Sequence, residues 1–444
     1  MKKVFTIAAI CFIVLLLNSA VFSDQTDDIS TNLDIDLDFT IEEVKKKPYS
    51  INADIEVKET LRFFDSDALL FKQKYLDQNK NDTFWQTDID FTIEGQYQWD
   101  TISLYGRFNN LVYYNEDVDW ESERKVEEAY ISFQPSVSLA VDVGKKVHKW
   151  GKGYAFSPSA FFARPKDIDD LDVTLEGYYS LSTDYIKSMT GAIKTFAITP
   201  VLMPVTREIN DEFGLKDELI WGGKLYFFTF DTDIDLMFMV SDNLNNKVGI
   251  DFSKNLNPLF EIHGEAALVN DHRKYIIDEN GNTSEQEDTV SDLLLGLRYL
   301  SNIETTYILE YYHNGQGYTQ KEYENYLNFI ENGYNQYLNT SSNTSISKSK
   351  QYAAYYNKQA AMRDYIYLKI SQKDPFDILY FTPSIICIYN INDQSSSITP
   401  GITYSPITNL ILDLKAGFLF GKNKTEYNEK INKGKIVFSI KYYF

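Results

Sequence analysis

From Phe84 to Trp99 the chain alternates. Ile89, Phe91, Ile93, Tyr97 and Trp99 fall on one side of an extended backbone, and Asp88, Asp90, Thr92, Glu94, Gln96 and Gln98 on the other. At a helical period these residues would scatter around the axis, so the stretch predicts a strand with one oily and one wet face. The pattern returns at 49–57, where Ile51, Ala53 and Ile55 oppose Asn52, Asp54 and Glu56, and again at 259–268 and 291–299. The final stretch, Lys435 to Phe444, puts Ile436, Phe438, Ile440, Tyr442 and Phe444 on one face, so the chain stops on an aromatic residue of an oily strand.

The connections between such strands alternate between short and long. Short turns are predicted near Asp100, Pro135-Ser136, Thr190-Gly191, Asp231-Thr232, Lys254 to Asn257, Ser301-Asn302, Lys373-Asp374 and Pro406-Ile407. Longer polar links are predicted near 64–84, 115–124, 148–181, 204–217, 241–246, 270–289, 313–360, 391–395 and 421–433. Tight turns at one end and long loops at the other are the asymmetry of a transmembrane barrel, and the count gives about eighteen strands, an even number. The strands between Ser182 and Met203 carry the weakest alternation, and without them the count is about sixteen. The fold class is therefore all-β: an antiparallel up-and-down transmembrane barrel over 49–444, closed by pairing the last strand with the first, near Tyr49 to Val57.

Composition agrees with that reading. Aromatic side chains make up 15% of the chain, 33 of them Tyr. Past residue 23 no apolar run reaches the about 20 residues that a spanning helix needs. Strands that turn alternate residues to lipid, with aromatic girdles at both interfaces, account for both facts. Lys2 and Lys3, followed by the apolar Val4 to Leu17 and by Val21-Phe22-Ser23, read as a signal peptide over 1–23, cut near Asp24. A lipoprotein reading through Cys11 fails because Ile10 precedes it where a small residue is wanted. The acidic segment 24–48 shows no alternation and reads as a periplasmic leader. Cys387 is then the remaining cysteine, without a disulfide partner, in an apolar stretch that suits packing.

Two stretches stand apart from the strand pattern. Val143 to Asp167, V-G-K-K-V-H-K-W-G-K-G-Y-A-F-S-P-S-A-F-F-A-R-P-K-D, leaves a strand at its long-loop end, with glycines for tight bends and Trp150, Tyr154, Phe156, Phe161 and Phe162 as apolar mass. Glu310 to Tyr318, E-Y-Y-H-N-G-Q-G-Y, is the second. In both, the chain resembles a porin-like group of outer-membrane barrels of unassigned function, in which a G-x-x-x-x-x-W-G motif precedes an aromatic, proline-bearing loop. The C-terminal aromatic strand is similar to that of outer-membrane barrels as a class, and this resemblance implies recognition by the barrel-assembly machinery. It also implies that the 148–181 loop folds inward to narrow a pore. Trp150, Arg164, Lys166, Asp167, Asp169 and Asp170 are then candidates for a constriction; the alternative is that the aromatics fill a gap at the rim and the Asp run is a solvated face.

Carrying the alternation through sends Asp54, Glu56, Asp88, Asp90, Glu94, Glu128, Asp142, Glu261, Glu265, Asp292 and Glu310 to the lumen, against Lys58, Arg107, Lys146, Arg298 and Lys441. His263 falls between Glu261 and Glu265. An excess of carboxylates in a confined channel favours cations. Charge ladders that merely hold the wall are the alternative. In the 313–360 loop, Tyr323, Tyr326, Phe329, Tyr334 and Tyr337 recur at helical spacings and predict a short amphipathic helix.

Signatures of chemistry are thin. His148, His263, His272 and His313 are dispersed and none has zinc spacing. Asp278 to Asn282 has its glycine too early for a calcium loop and reads as a loop tip. There is no phosphate-binding glycine loop, nucleophile elbow or basic nucleic-acid patch. The expectation is an outer-membrane channel for passive uptake of small hydrophilic solutes, mildly cation-selective, with membrane lipid around it and with no cofactor, metal or nucleic acid. The rivals are a barrel enzyme with its site on the rim and a sealed barrel with a structural or surface-binding role. Nothing in the sequence marks a subunit interface.

Overall fold

The computed structural model describes residues 47–76, 78, 80–168, 175–214 and 217–444. The predicted signal peptide, nearly all of the leader, and Asp169 and Asp170 lie outside the described residues. From Tyr49 onward the chain forms one closed sheet of eighteen antiparallel strands. The first nine are β1 (Tyr49–Phe64), β2 (Thr83–Trp99), β3 (Ile102–Asn115), β4 (Glu121–Ser136), β5 (Leu139–Lys146), β6 (Tyr178–Ser188), β7 (Ile193–Val205), β8 (Glu218–Thr229) and β9 (Thr232–Val240). The rest are β10 (Lys247–Asn257), β11 (Phe260–Ile277), β12 (Thr283–Leu300), β13 (Thr305–His313), β14 (Asp364–Gln372), β15 (Phe381–Asn390), β16 (Ser396–Tyr404), β17 (Leu410–Phe420) and β18 (Asn432–Tyr443).

Each strand pairs with its chain neighbours, and β18 closes on β1, with Val57 opposite Ile440 and Ile55 opposite Tyr442. The chain's last amide, Phe444 N, donates to Ala53 O at 2.8 Å, so the terminal residue is part of the seam. β6 and β7 pair with each other and with β5 and β8, which settles the count at eighteen rather than sixteen. The oily faces point outward as predicted, with Ile51, Phe91, Leu104, Phe238, Leu295 and Phe438 all exposed on the outer wall.

One expected long link is corrected. The stretch 270–289 is mostly strand: β11 and β12 run on to Ile277 and Thr283 and meet in a turn, where Asp278 Oδ1 accepts from Asn280 N at 2.9 Å and Asn282 N at 2.8 Å. Beyond the bilayer a strand's outer face is in water, and Thr283 to Thr289 are all exposed. No oily face remains to reveal the strand.

The 313–360 link carries more helix than the tyrosine spacing predicts. Helix α1 (Leu69–Tyr75) belongs to the link after β1, while α2 (Gln320–Thr340) and α3 (Thr344–Tyr356) follow β13. A capping box starts α2: Glu322 N donates to Thr319 Oγ1 at 3.3 Å and Thr319 N to Glu322 Oε2 at 2.8 Å. Tyr323, Tyr326, Phe329 and Ile330 of α2 are buried, and the Tyr356 ring lies between those of Tyr318 and Tyr326, each centroid 4.0 Å away. This helical cap shares a core with the wall residues Ile277, Ile308, Tyr365, Tyr367 and Ile388.

Candidate functional site

The two stretches that stood apart in the sequence meet inside the barrel. After β5 the chain turns in rather than out. Gly151 makes the turn at φ +84°, where a side chain is strained, and a Cβ on Gly153 would stand 1.9 Å from Phe156 O. The backbone amides thus gathered point at two wall carboxylates. Glu265 of β11 accepts from Lys152 N at 2.6 Å, Gly153 N at 2.7 Å, Ser159 N at 3.0 Å and Ser159 Oγ at 2.6 Å. Glu310 of β13 accepts from Tyr154 N and from Ala155 N, the latter at 3.0 Å. His263 Nε2 lies 3.0 Å from the same Glu310 carboxylate, and Tyr154 Oη donates to Glu261 at 3.3 Å. Glu265, Glu310 and His263 are at most 2% exposed. Charge-assisted bonds of this kind, shielded from water, are among the stronger single contacts a loop can make.

Apolar packing completes the clamp. Phe162 is fully buried against Trp150, with centroids 5.2 Å apart, and its ring fills the space above Gly222, where a Cβ would come within 2.3 Å of it. Phe156 stacks on Tyr312 at 4.4 Å, so the second sequence stretch holds the first by a ring as well as by Glu310. Lys152 Nζ reaches Asp235 of β9 at 2.9 Å. Burial works against the Lys152 charge, but the carboxylate outweighs it and holds the ammonium above its ordinary range.

The predicted constriction residues divide. Trp150 is buried between the loop and the wall, and Arg164 pairs with Glu212 and, at 3.4 Å, with Glu176, its guanidinium 4.8 Å above the Tyr178 ring. Both hold the loop together. Lys166 donates to Gly153 O, while Asp167 is exposed.

His148, at the loop's start, is buried with Nε2 2.9 Å from Ser180 Oγ, and burial, reinforced by Lys146, pushes it down to about 4. It is therefore neutral when packed. As pH falls from about 6.5 towards 4, a freed His148 takes a proton that the packed ring refuses, so the clamp weakens progressively over that window. Current noise in planar bilayers is expected to grow between pH 6.5 and 4, and His148→Gln to remove most of that growth; equal pH dependence in the variant would show that His148 is not the cause.

The lumen is asymmetric. Along β8 to β13 the inward residues are covered by the loop: Ile220, Met237, Met239, Ala267 and Leu294 are each at most 3% exposed. Along β18 and β1 to β4 the inward residues are charged and wetter. Lys58 lies 3.7 Å from Asp88 with 42% of its side chain exposed, Lys441 lies 3.3 Å from Asp54, and Arg107 pairs with Glu127 and, at 3.9 Å, with Glu128. Asp90 accepts from Asn109, and Glu94 from Asn52 at 3.0 Å and Tyr105 at 3.1 Å. Arg298 lies 3.9 Å from Glu261 and is 42% exposed. The alternation along the chain does not separate the clamp residues Glu265 and Glu310 from the ladder, because their partners are backbone amides more than a hundred residues away.

A closed barrel of eighteen strands, oily outside and polar within, with a long loop turned into its lumen, has the fold of outer-membrane porin-like barrels. Among solved structures it is similar to two outer-membrane porins of Pseudomonas aeruginosa. For OccK11 (OpdR) the identity is 8%, covering 89% of this chain and 96% of that one, at a TM-score of 0.51. For OccK5 (OpdH) the identity is 10%, covering 89% and 98%, at 0.52. It is also similar to Wzi of Escherichia coli, an outer-membrane protein involved in group 1 capsule assembly and described as a carbohydrate-binding β-barrel: 12% identity, 88% of this chain and 84% of that one, TM-score 0.53. No family model matches the sequence, and no curated protein matches it.

Proposed function

We propose that the protein is a channel of the bacterial outer membrane for passive diffusion of small hydrophilic solutes, exported by way of its signal peptide and inserted through its terminal aromatic strand by the barrel-assembly machinery. The observation that carries the reading is the asymmetric lumen: the inward loop is clamped to one wall, and the opposite wall keeps a row of charges that the loop does not cover, half-buried for the most part, with Lys58 the wettest at 42%. A loop built only to plug would cover that row as well. Of the constriction candidates, Trp150 and Arg164 hold the loop, and the half-buried Lys166 and the exposed Asp167 are the ones placed to border the passage.

Asp90 and Glu94 take their hydrogen bonds from neutral donors, and the ladder carries more carboxylates than cations. A mild cation preference follows. Single-channel recording of the purified protein in planar bilayers is expected to give ohmic steps, with a reversal potential in a potassium chloride gradient displaced towards potassium. Anion preference would overturn the selectivity, and folded protein without ion current would overturn the channel.

A second reading has its own support. The helical cap over the long-loop end and the likeness to a carbohydrate-binding barrel favour a sealed surface-binding protein. It predicts the silent bilayer that the channel reading forbids.

A further inference from the structure

We infer that Asp251 and Asp235 hold one proton between them beneath the inward loop, and that loss of this proton in alkaline solution lifts the loop from the wall. The device acts on the clamp itself, so it goes beyond the channel reading and applies to a conducting and a sealed barrel alike.

Asp251 of β10 faces Asp235 of β9 on one side and Glu265 of β11 on the other. Facing residues of neighbouring strands have Cβ atoms about 4.5–5.5 Å apart, so each carboxyl stands within reach of the next. Asp235 and Asp251 are 1% exposed and Glu265 2%. Their partners differ. Glu265 takes the four loop donors, and Asp235 Oδ2 lies 2.9 Å from Lys152 Nζ, with Lys224 Nζ 3.7 Å from Oδ1. Neither oxygen of Asp251 meets a hydrogen-bond donor among the described residues, and Asp235 Oδ1 has no hydrogen bond either. An ionised carboxylate buried without donors is costly, and such a group calls for a physical account. One proton supplies it: carried on Asp251, it is the donor that Asp235 Oδ1 lacks. Two facing carboxyls in a dry site cannot both ionise, and they titrate as a pair.

The charges around the pair leave no counter-ion for a further carboxylate. Lys224 and Tyr226 come from β8, Asp233 from β9, Glu265 and His263 from β11, and Lys152 from the loop. Tyr226 Oη donates to Asp233, and His263 lies 3.0 Å from Glu310 and 3.6 Å from Glu261. Two ammoniums thus face the three carboxylates of Asp233, Asp235 and Glu265 before Asp251 is counted. A charge on Asp251 would have to be met by water. The loop is what keeps water away: a Cβ on Gly249, two residues along β10 on the same face, would stand 2.9 Å from Phe161 Cζ and 3.2 Å from Ser159 Cβ. The clamped form therefore holds a proton that the lifted form, with Asp251 in water, gives up, and raising the pH favours the lifted form. His148 acts from the other side, since its proton uptake weakens the clamp in acid.

The test uses the full folded protein in detergent and reads the proton and the loop separately. Infrared difference spectra at neutral pH, parent minus Asp251→Asn, are expected to show the carbonyl stretch of a protonated carboxylic acid. Asp235→Asn is expected to lose that band as well, because Lys152 is then free to pair with Asp251 and the acid ionises. The parent-minus-Asp235→Asn spectrum therefore reads the same band should Asp251→Asn fail to fold. For the loop, hydrogen–deuterium exchange of residues 148–168 is followed from pH 7 to about 9.5, below the range in which lysines discharge. Exchange in the parent, taken relative to Asp251→Asn at the same pH so that intrinsic rates cancel, should rise several-fold across that interval. No carboxylic-acid band in the parent, a band that survives in Asp235→Asn, or an exchange ratio that stays flat overturns the inference. Neither readout is a current, so failure here leaves the channel reading standing, and a silent bilayer leaves this inference standing.

Discussion

Glu265→Ala is expected to release the inward loop while leaving the barrel closed. Four donors of the loop end on that carboxylate, which is buried in a wall strand whose own ladder does not depend on it. Each hydrogen bond to a charged group contributes about 1.5–3 kcal/mol, and stranding buried amides adds their desolvation cost, so the loop's attachment should weaken by roughly 3–5 kcal/mol. Glu310→Ala strands two amides and His263 and should act in the same direction with a smaller effect. Because both variants free the same segment, the double variant should fall well short of the sum. In bilayers the singles are expected to show larger unit conductance with strong flicker, while the protein still migrates as a folded barrel before heating. Glu310→Gln, which keeps an acceptor oxygen, should lie between. Parental conductance and noise in Glu265→Ala would mean that the loop does not limit the passage.

The strand plan was legible because a bilayer imposes one rule along the whole chain: every second residue meets lipid, and the alternation at Phe84 to Trp99 or Lys435 to Phe444 is that rule written out. Where the rule lapses, legibility lapses too. Beyond the membrane β12 is exposed from Thr283 to Thr289 and β11 turns Ile277 in to the helical cap rather than out to lipid, so the pair reads as a loop, although both strands are as extended as any other. The lumenal row was legible as a row, so Glu261, His263 and Glu265 were placed together. Their division of labour was not, because it depends on which loop backbone arrives. Gly151, Gly153 and the pair of phenylalanines signalled a loop that folds against something; the partner surface, Gly222 for Phe162 and Tyr312 for Phe156, is set by contacts across the barrel with no local trace.

Removing α2 and α3, by joining Tyr318 to Met362 through a short glycine-serine linker, is expected to decide what the helical cap does. Tyr318 and Met362 already form a bridge, and below them β13 and β14 pair continuously from His313 opposite Asp364 to Thr305 opposite Gln372, so the barrel should close without the helices. The loss is a local core: Tyr323, Tyr326, Leu327, Ile330 and Tyr356 leave, each taking about 1.5–3 kcal/mol of burial with it, and Ile277, Tyr365 and Tyr367 lose part of their cover. A fall in thermal midpoint with retained sheet signal by circular dichroism would report that loss. Conductance separates the functional readings. A parent that conducts, and a deletion that conducts several-fold more, puts a resistance at the cap in series with the clamped loop. Equal conductance in both puts the limiting aperture at the loop alone, where Glu265→Ala should act. A silent parent with a conducting deletion makes the cap a seal, and the sealed surface-binding reading then replaces the channel.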